Sequence, residues 1–217
     1  KALTELGIQP VVIAGTSAGS LVGAGFAAGM DWQALRAMAR SVFWPMLLNG
    51  RLLEQFCAQH LPATFAQLHL PFAAVATEFP ARRPVALTAG ELASAISASC
   101  ALRILRSPVR RNGLKLKDGG YTCVLPALAC RELGAEFVIS SDVWELSGLL
   151  CAFGVSPGAA IFPRNYREAV QTTDCLIRPA IPVSSYWPNA AAIDRLIAEG
   201  ERATRRALET PVRLRSA

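Results

Sequence analysis

Short apolar runs, separated by glycine, proline and capping residues, give this chain its outline. Residues 1–6 (KALTEL) carry the spacing of the last turns of a helix, with Gly7 as its cap. Val11, Val12 and Ile13 form a β-branched run, the pattern of a buried strand. A tract of small residues over 18–28 follows, in which Leu21, Val22 and Phe26 are spaced like one side of a helix and Gly29 serves as cap. Asp31 predicts the N-cap of a helix whose Trp32, Leu35 and Met38 share a face. Residues 43–48 are apolar and broken by Pro45, and 52–60 form a short helix ending at Pro62. Thr64 and Gln67 make a capping box around one turn.

Residues 72–77 (FAAVAT) predict a buried strand and 84–87 a second, joined through Pro80-Ala81-Arg82-Arg83. Thr88 with Glu91 is another capping box, opening a helix to Ser99. Asn112-Gly113 is a hairpin signal whose second arm, 114–117, runs into Asp118-Gly119-Gly120. Pro126 starts a helix to Leu133, closed by Gly134. Strands are expected over 137–140 and 176–177, and Asn189 caps a last amphipathic helix with Ile193, Leu196 and Ile197 in register. Strands alternating with helices predict an α/β fold with a mostly parallel sheet flanked by helices. No repeat or linker interrupts the chain, so residues 1–217 are expected to form a single domain.

Composition agrees with a large buried core: 52% of the residues are hydrophobic and only 18% charged. No run reaches transmembrane length; residues 146–162 come closest, but Gly148, Gly154, Pro157 and Gly158 interrupt them. Six scattered Cys with no C-x-x-C, and only two His, argue reduced core cysteines and no metal. The net charge of +6 is concentrated. Arg82, Arg83, Arg103, Arg106, Arg110, Arg111, Lys115 and Lys117 are opposed between positions 82 and 117 by Glu91 alone. With no nucleic-acid module beside it, this segment points to an anionic membrane surface or a phosphorylated substrate, with a solvated basic edge as the plain alternative. The first residue is Lys1, so no signal peptide is assigned. The expected location is cytoplasmic or peripheral to a membrane, with secretion left open.

The candidate chemistry lies at Gly15-Thr16-Ser17-Ala18-Gly19. A strand before and a helix after turn this G-x-S-x-G match into a nucleophile-elbow pattern. Ser17 would sit in a strained turn that needs Gly15 and Gly19 free of bulk. The helix after it would aim its free N–H groups at developing negative charge, the Ala18 N–H among them. A serine nucleophile needs a base. His60 and His69 both precede Asp118, and no His precedes Ser17, so neither known triad order fits. Asp118, followed by Gly119 and Gly120, is the carboxylate that stands out; two glycines permit positive φ and close approach of another segment.

Together GTSAGS at 15–20, VATEF at 75–79, SASCA at 97–101, KDGGY at 117–121 and LPALACRELGAEFVISSDV at 125–143 resemble the patatin-like phospholipases, the lipid acyl hydrolases. The likeness extends to CLIRPAI and the final helix. It implies a patatin-like α/β fold and hydrolysis of lipid carboxylic esters by a Ser–Asp dyad. Ser17 would be nucleophile and Asp118 general base, within a motif that includes Gly15, Thr16, Ala18, Gly19, Gly119 and Gly120. It implies a lipid ester substrate and no cofactor. The family's first strand and glycine-rich oxyanion loop would precede the first residue of this sequence, so the chain is expected to lack them. Where the family has a Pro-rich apolar turn, residues 102–108 (LRILRSP) bring two arginines. A catalytically impaired protein that binds lipid or membrane is the alternative reading. A malonyl-transacylase type of acyltransferase shares the elbow but needs a histidine base.

Overall fold

The computed structural model describes residues 1–42, 46, 48–102, 105–143, 163–181 and 190–209. The expectations for most of 43–48, for Arg103, for 146–162 and for the Asn189 cap lie outside these. Two compact units are present: Val11–Ala135, and a second made of Lys1–Pro10 with Glu136–Ala217. Among the described residues no helix is long and apolar enough to cross a membrane.

The first helix, α1 (Ala2–Glu5), belongs to the second unit and ends at Leu6 before Gly7 at φ +70°. The Val11–Ala135 unit then runs β1 (Ile13–Thr16), α2 (Ala18–Ala27), α3 (Trp32–Ser41) and α4 (Gly50–His60). It continues with β2 (Phe72–Glu78), β3 (Arg83–Leu87), α5 (Leu92–Ser99), β4 (Val109–Arg111), β5 (Leu114–Asp118) and α6 (Ala127–Glu132). Single 3₁₀ turns stand at Phe65–Gln67 and Gly119–Tyr121.

The sheet is organised on β2, which is buried along nearly its whole length. β3 pairs antiparallel with β2 from Ala74 to Glu78 and takes one edge. A strand has two edges, so β1 and β5 must share the other. β1 pairs parallel with β2 from Ile13↔Phe72 to Thr16↔Val75, and β5 pairs antiparallel from Ala76↔Asp118 to Glu78↔Leu116. The two strands therefore point their C-terminal ends at each other along one edge of β2. The α/β class holds, and the sheet of this unit is mixed. The parallel pair β1–β2 is connected through helices, as a parallel crossover requires. The antiparallel pairs come from the two hairpins and from β5 entering head-on against β1.

The core lies between one face of this sheet and helices α2, α4 and α5, with Phe72, Ala74, Ala76 and Leu116 meeting Leu21, Leu53, Leu92 and Ile96. Small residues let α2 lie close: a Cβ on Gly23 would stand 3.0 Å from the Phe72 ring and 3.1 Å from Ile13. Three expectations need correction. The strand begins at Ile13, and Val11 is 68% exposed, because β2 offers no partner before Pro71 and Phe72. Val22 is 47% exposed; the buried side of α2 is Leu21 with Ser20, Gly23, Ala24, Gly25 and Ala27. Helix α5 begins after Glu91 and not near Thr88, since Gly90 has φ +81° and Glu91 is held extended in a bridge to Thr64. The Asp31 cap forms, its carboxylate accepting from the Ala34 N–H at 2.8 Å. The β4–β5 turn has Asn112 and Gly113 both at positive φ, the two-residue type I′ geometry.

In the second unit β6 (Ile139–Ser141) pairs parallel with β7 (Cys175–Ile177), with α7 (Pro163–Thr172) between them in sequence and α8 (Ala190–Glu209) after them. Ala203 of α8 packs on Cys175 and Ile177. Glu199 accepts from the Ala180 N–H at 3.1 Å and from the guanidinium groups of Arg202 and Arg206, which together hold its carboxyl below the usual range. The buried Asp142 accepts from the Tyr166 hydroxyl and faces Arg178 at 3.6 Å. Cys57, Cys100, Cys123, Cys130 and Cys175 are free thiols.

Candidate active site

The head-on meeting of β1 and β5 brings two residues 101 positions apart into contact. Ser17 follows the last residue of β1, and Asp118 is the last residue of β5. The Ser17 hydroxyl donates to Asp118 Oδ2 at 2.8 Å. Ser17 has φ 53° and ψ −125°, a region an L-residue rarely occupies unless its surroundings hold it there. Its carbonyl accepts from the Ser20 hydroxyl at 2.6 Å and the Ser20 N–H at 2.8 Å. Its N–H donates to Ser99 Oγ at 2.9 Å, and the Ser99 hydroxyl donates on to the Val75 carbonyl at 2.6 Å. Asp118 is held from three sides: its N–H donates to Ala101 O at 2.9 Å, its Oδ1 accepts from the Gly120 N–H at 2.8 Å, and its Oδ2 takes the Ser17 proton donor.

The glycines divide by cause. A Cβ on Gly15 would lie 2.2 Å from the Gly19 carbonyl, and one on Gly119 would lie 2.2 Å from the Val75 carbonyl and 2.9 Å from Thr16. Both positions exclude any side chain. Gly19 differs from expectation, since its Cβ would meet open space. Gly119 and Gly120 have no positive φ, so close approach, and not backbone freedom, accounts for the first of them. Ala18 and Gly19 are the exposed first residues of α2, where helix N–H groups have no partner inside the helix.

Asp118 is 5% exposed, and burial pushes its carboxyl above the ordinary aspartate value. The Gly120 N–H, the Ser17 hydroxyl and the charge of Arg106 act against that rise. Arg106 is itself only 8% exposed. Its guanidinium donates to Ser97 Oγ at 2.7 Å and Cys100 O at 3.2 Å and lies against Gly50, where a Cβ would meet it at 2.2 Å. The basic segment is thus not a uniform surface. Arg106 turns inward because its donors find acceptors at the end of α5. Arg111 donates to the carbonyls of Glu91 and Ala89. Arg110 and Lys115 stay exposed and face each other across the β4–β5 hairpin. The neighbouring Cys100 thiol is pushed up to about 12, by burial first and by Asp118 second, so it stays protonated.

Neither histidine belongs to this arrangement. His60 is exposed and packs on Phe56 with ring centroids 4.4 Å apart, and His69 is exposed against Gly29. A cavity of about 270 Å³, lined by Thr77, Phe79, Arg82, Lys117 and Tyr121, lies one residue along β2 and β5 from the Ala76–Asp118 pair. In the sequence SASCA stands out as a motif with no role for Ser99, and Arg106 reads as one charge of a basic surface segment. The SASCA motif itself was the available signal for Ser99; Arg106 carried none, because its acceptors, the Ser97 hydroxyl and the Cys100 carbonyl, bear no charge.

A family model for patatin-like phospholipase matches residues 1–131. The chain is 30% identical over 162 residues to patatin-like phospholipase domain-containing protein 7 of Rattus norvegicus, covering 66% of this chain and 12% of that protein. It is 31% identical over 153 residues to an uncharacterised NTE family protein of Mycobacterium bovis, covering 64% of this chain and 42% of the relative. The chain thus spans less than half the length of either. With the model covering well over half of its residues, the chain belongs to the patatin-like phospholipase family.

Proposed function

We propose that this chain is a serine acyl hydrolase acting on carboxylic esters of lipids through a Ser17–Asp118 dyad. The observation that carries the reading is the 2.8 Å hydrogen bond from Ser17 Oγ to Asp118 Oδ2, with Ser17 at positive φ at the start of α2. Ser17 Oγ attacks the ester carbonyl carbon while its proton passes to Asp118 Oδ2. The tetrahedral intermediate collapses, the C–O bond to the alcohol breaks, and Asp118 returns the proton to the leaving oxygen. Water then attacks the acyl-serine, giving a proton to Asp118. The carboxylic acid departs as Ser17 Oγ recovers that proton. The burial that lifts Asp118 above an ordinary carboxylate suits this exchange, since a base must hold a proton between the two steps. The Ala18 N–H, in the first turn of α2, would share negative charge on the carbonyl oxygen. Arg110 and Lys115, exposed side by side, would rest on anionic lipid; like charges placed directly opposite are otherwise unfavourable.

The test is hydrolysis of a short-chain p-nitrophenyl ester together with labelling by a fluorophosphonate. Ser17→Ala is expected to lose both while keeping the circular dichroism of the parent. Turnover equal to the parent's would overturn the dyad.

A further inference from the structure

We infer that Ser99 is a positioning residue that sets the Ser17 backbone by inserting its hydroxyl into the β1–β2 ladder; this rests on the hydrolase reading above. The ladder starts with the Ile13 N–H donating to Pro71 O at 3.0 Å, in register Ile13↔Phe72. Parallel pairing repeats this step every two residues. The sequence of rungs is then Gly15 to Ala73, and next Ser17 to Val75. That last rung is not direct. The Ser17 N–H donates to Ser99 Oγ at 2.9 Å, and the Ser99 hydroxyl donates to Val75 O at 2.6 Å. One hydroxyl has replaced one rung, and both backbone groups remain satisfied.

The consequence is geometric. A direct rung would continue Ser17 as extended strand with negative φ. The interposed oxygen moves Ser17 off the edge of β2 and lets it adopt φ 53°, which turns its side chain toward Asp118. Ser99 is completely buried at the last position of α5, and Gly119 covers the same Val75 carbonyl from the β5 side. Helix α5 also receives the Asp118 N–H just beyond its end, at Ala101. One short segment, 99–101, therefore sets the backbone of both dyad residues.

Ser99→Ala removes the inserted hydroxyl and lets Ser17 fall back onto Val75. The expected result is a drop in kcat of about 10- to 100-fold with KM nearly unchanged, as for a reacting group displaced by a fraction of an ångström. The acid limb of the pH profile should also move up, because the Ser17 hydroxyl that holds the Asp118 carboxyl down is withdrawn. Leu53→Ala, a fully buried core truncation on α4, is the comparison for mere loss of stability; it should move neither the KM–kcat split nor the pH limb. If Ser99→Ala does not fold, the isosteric Ser99→Cys, a poorer donor and acceptor, should show the same direction of change. A backbone readout separates this inference from the hydrolase reading. The Ser17 amide and Cα chemical shifts should leave the positive-φ range in Ser99→Ala or Ser99→Cys, whether or not the parent turns over ester. Unchanged Ser17 shifts, or unchanged kcat and pH limb in an active parent, would overturn it. Moved shifts with an inactive parent would overturn only the hydrolase reading.

Discussion

Asp118 is a carboxylate in surroundings that disfavour its charge, and two opposite consequences follow. In the proposed reaction it must be ionised to accept the Ser17 proton, so kcat/KM should fall as pH drops through a value above that of a free aspartate, about 3.9. Stability runs the other way. A folded-state value raised above the unfolded one means that the native state binds more protons between the two. The associated stability is fully present below the unfolded value and is lost as pH rises through the folded one. Asp118→Asn should therefore lower turnover by about 10²–10⁴-fold and yet raise Tm at pH 7. The Tm gain should shrink toward zero as pH approaches 3.9. Thermal melts across pH 3–8 check this, and an Asn variant that is less stable at pH 7 would contradict the account.

At the level of elements, the turn after β1 and the turn after β5 are built by close approach. Gly15→Ala drives a methyl into the Gly19 carbonyl at 2.2 Å, and backbone cannot yield as a side-chain tip would. The expected cost is about 1–3 kcal/mol or more. Gly19→Ala, four residues away in the same motif, points into open space near the start of α2, where Ala outperforms Gly by about 0.5–1 kcal/mol. Urea melts of the two variants should move in opposite directions. The β4–β5 hairpin supplies an independent check. Gly113 sits at φ +77° in a two-residue turn, so Gly113→Ala should destabilise by about 1 kcal/mol and leave the Ser17–Asp118 geometry alone.

Across the molecule, positive charge is sorted by what each side chain reaches, not by how densely it is coded. Arg106 and Arg111 are spent on internal acceptors, while Arg110 and Lys115 remain available on one face of a hairpin. Each cation near an anionic bilayer is worth about 1 kcal/mol, so Arg110→Gln with Lys115→Gln should weaken binding to phosphatidylglycerol vesicles about 20- to 30-fold at low salt. Arg106→Gln should leave vesicle binding unchanged and lower stability by about 1–3 kcal/mol, the cost of buried partners left without a donor. Co-sedimentation at two salt concentrations reads the first effect and denaturant melts the second. Vesicle binding indifferent to lipid charge would remove the membrane role.

Features that depend on a few neighbouring residues were legible from the order of amino acids alone. The Asp31 cap and the Asn112-Gly113 turn rest on contacts within about four positions, while the strand at 72–77 and the two motifs around Ser17 and Asp118 show as local runs of residue types whose partners lie far along the chain. Local chemistry also misled where a longer-range partner intervened: Thr88 looked like a cap, but the bridge from Glu91 to Thr64 delays the helix. What tertiary structure alone decided is which edges meet. Ser17 and Asp118 touch because β3 occupies one side of β2 and leaves β1 and β5 to share the other, end to end. Sequence spacing carries no record of that sharing. The same holds for Arg106, whose burial depends on acceptors at the end of α5, and for Ser99, whose hydroxyl matters because of where a ladder of hydrogen bonds would otherwise have continued.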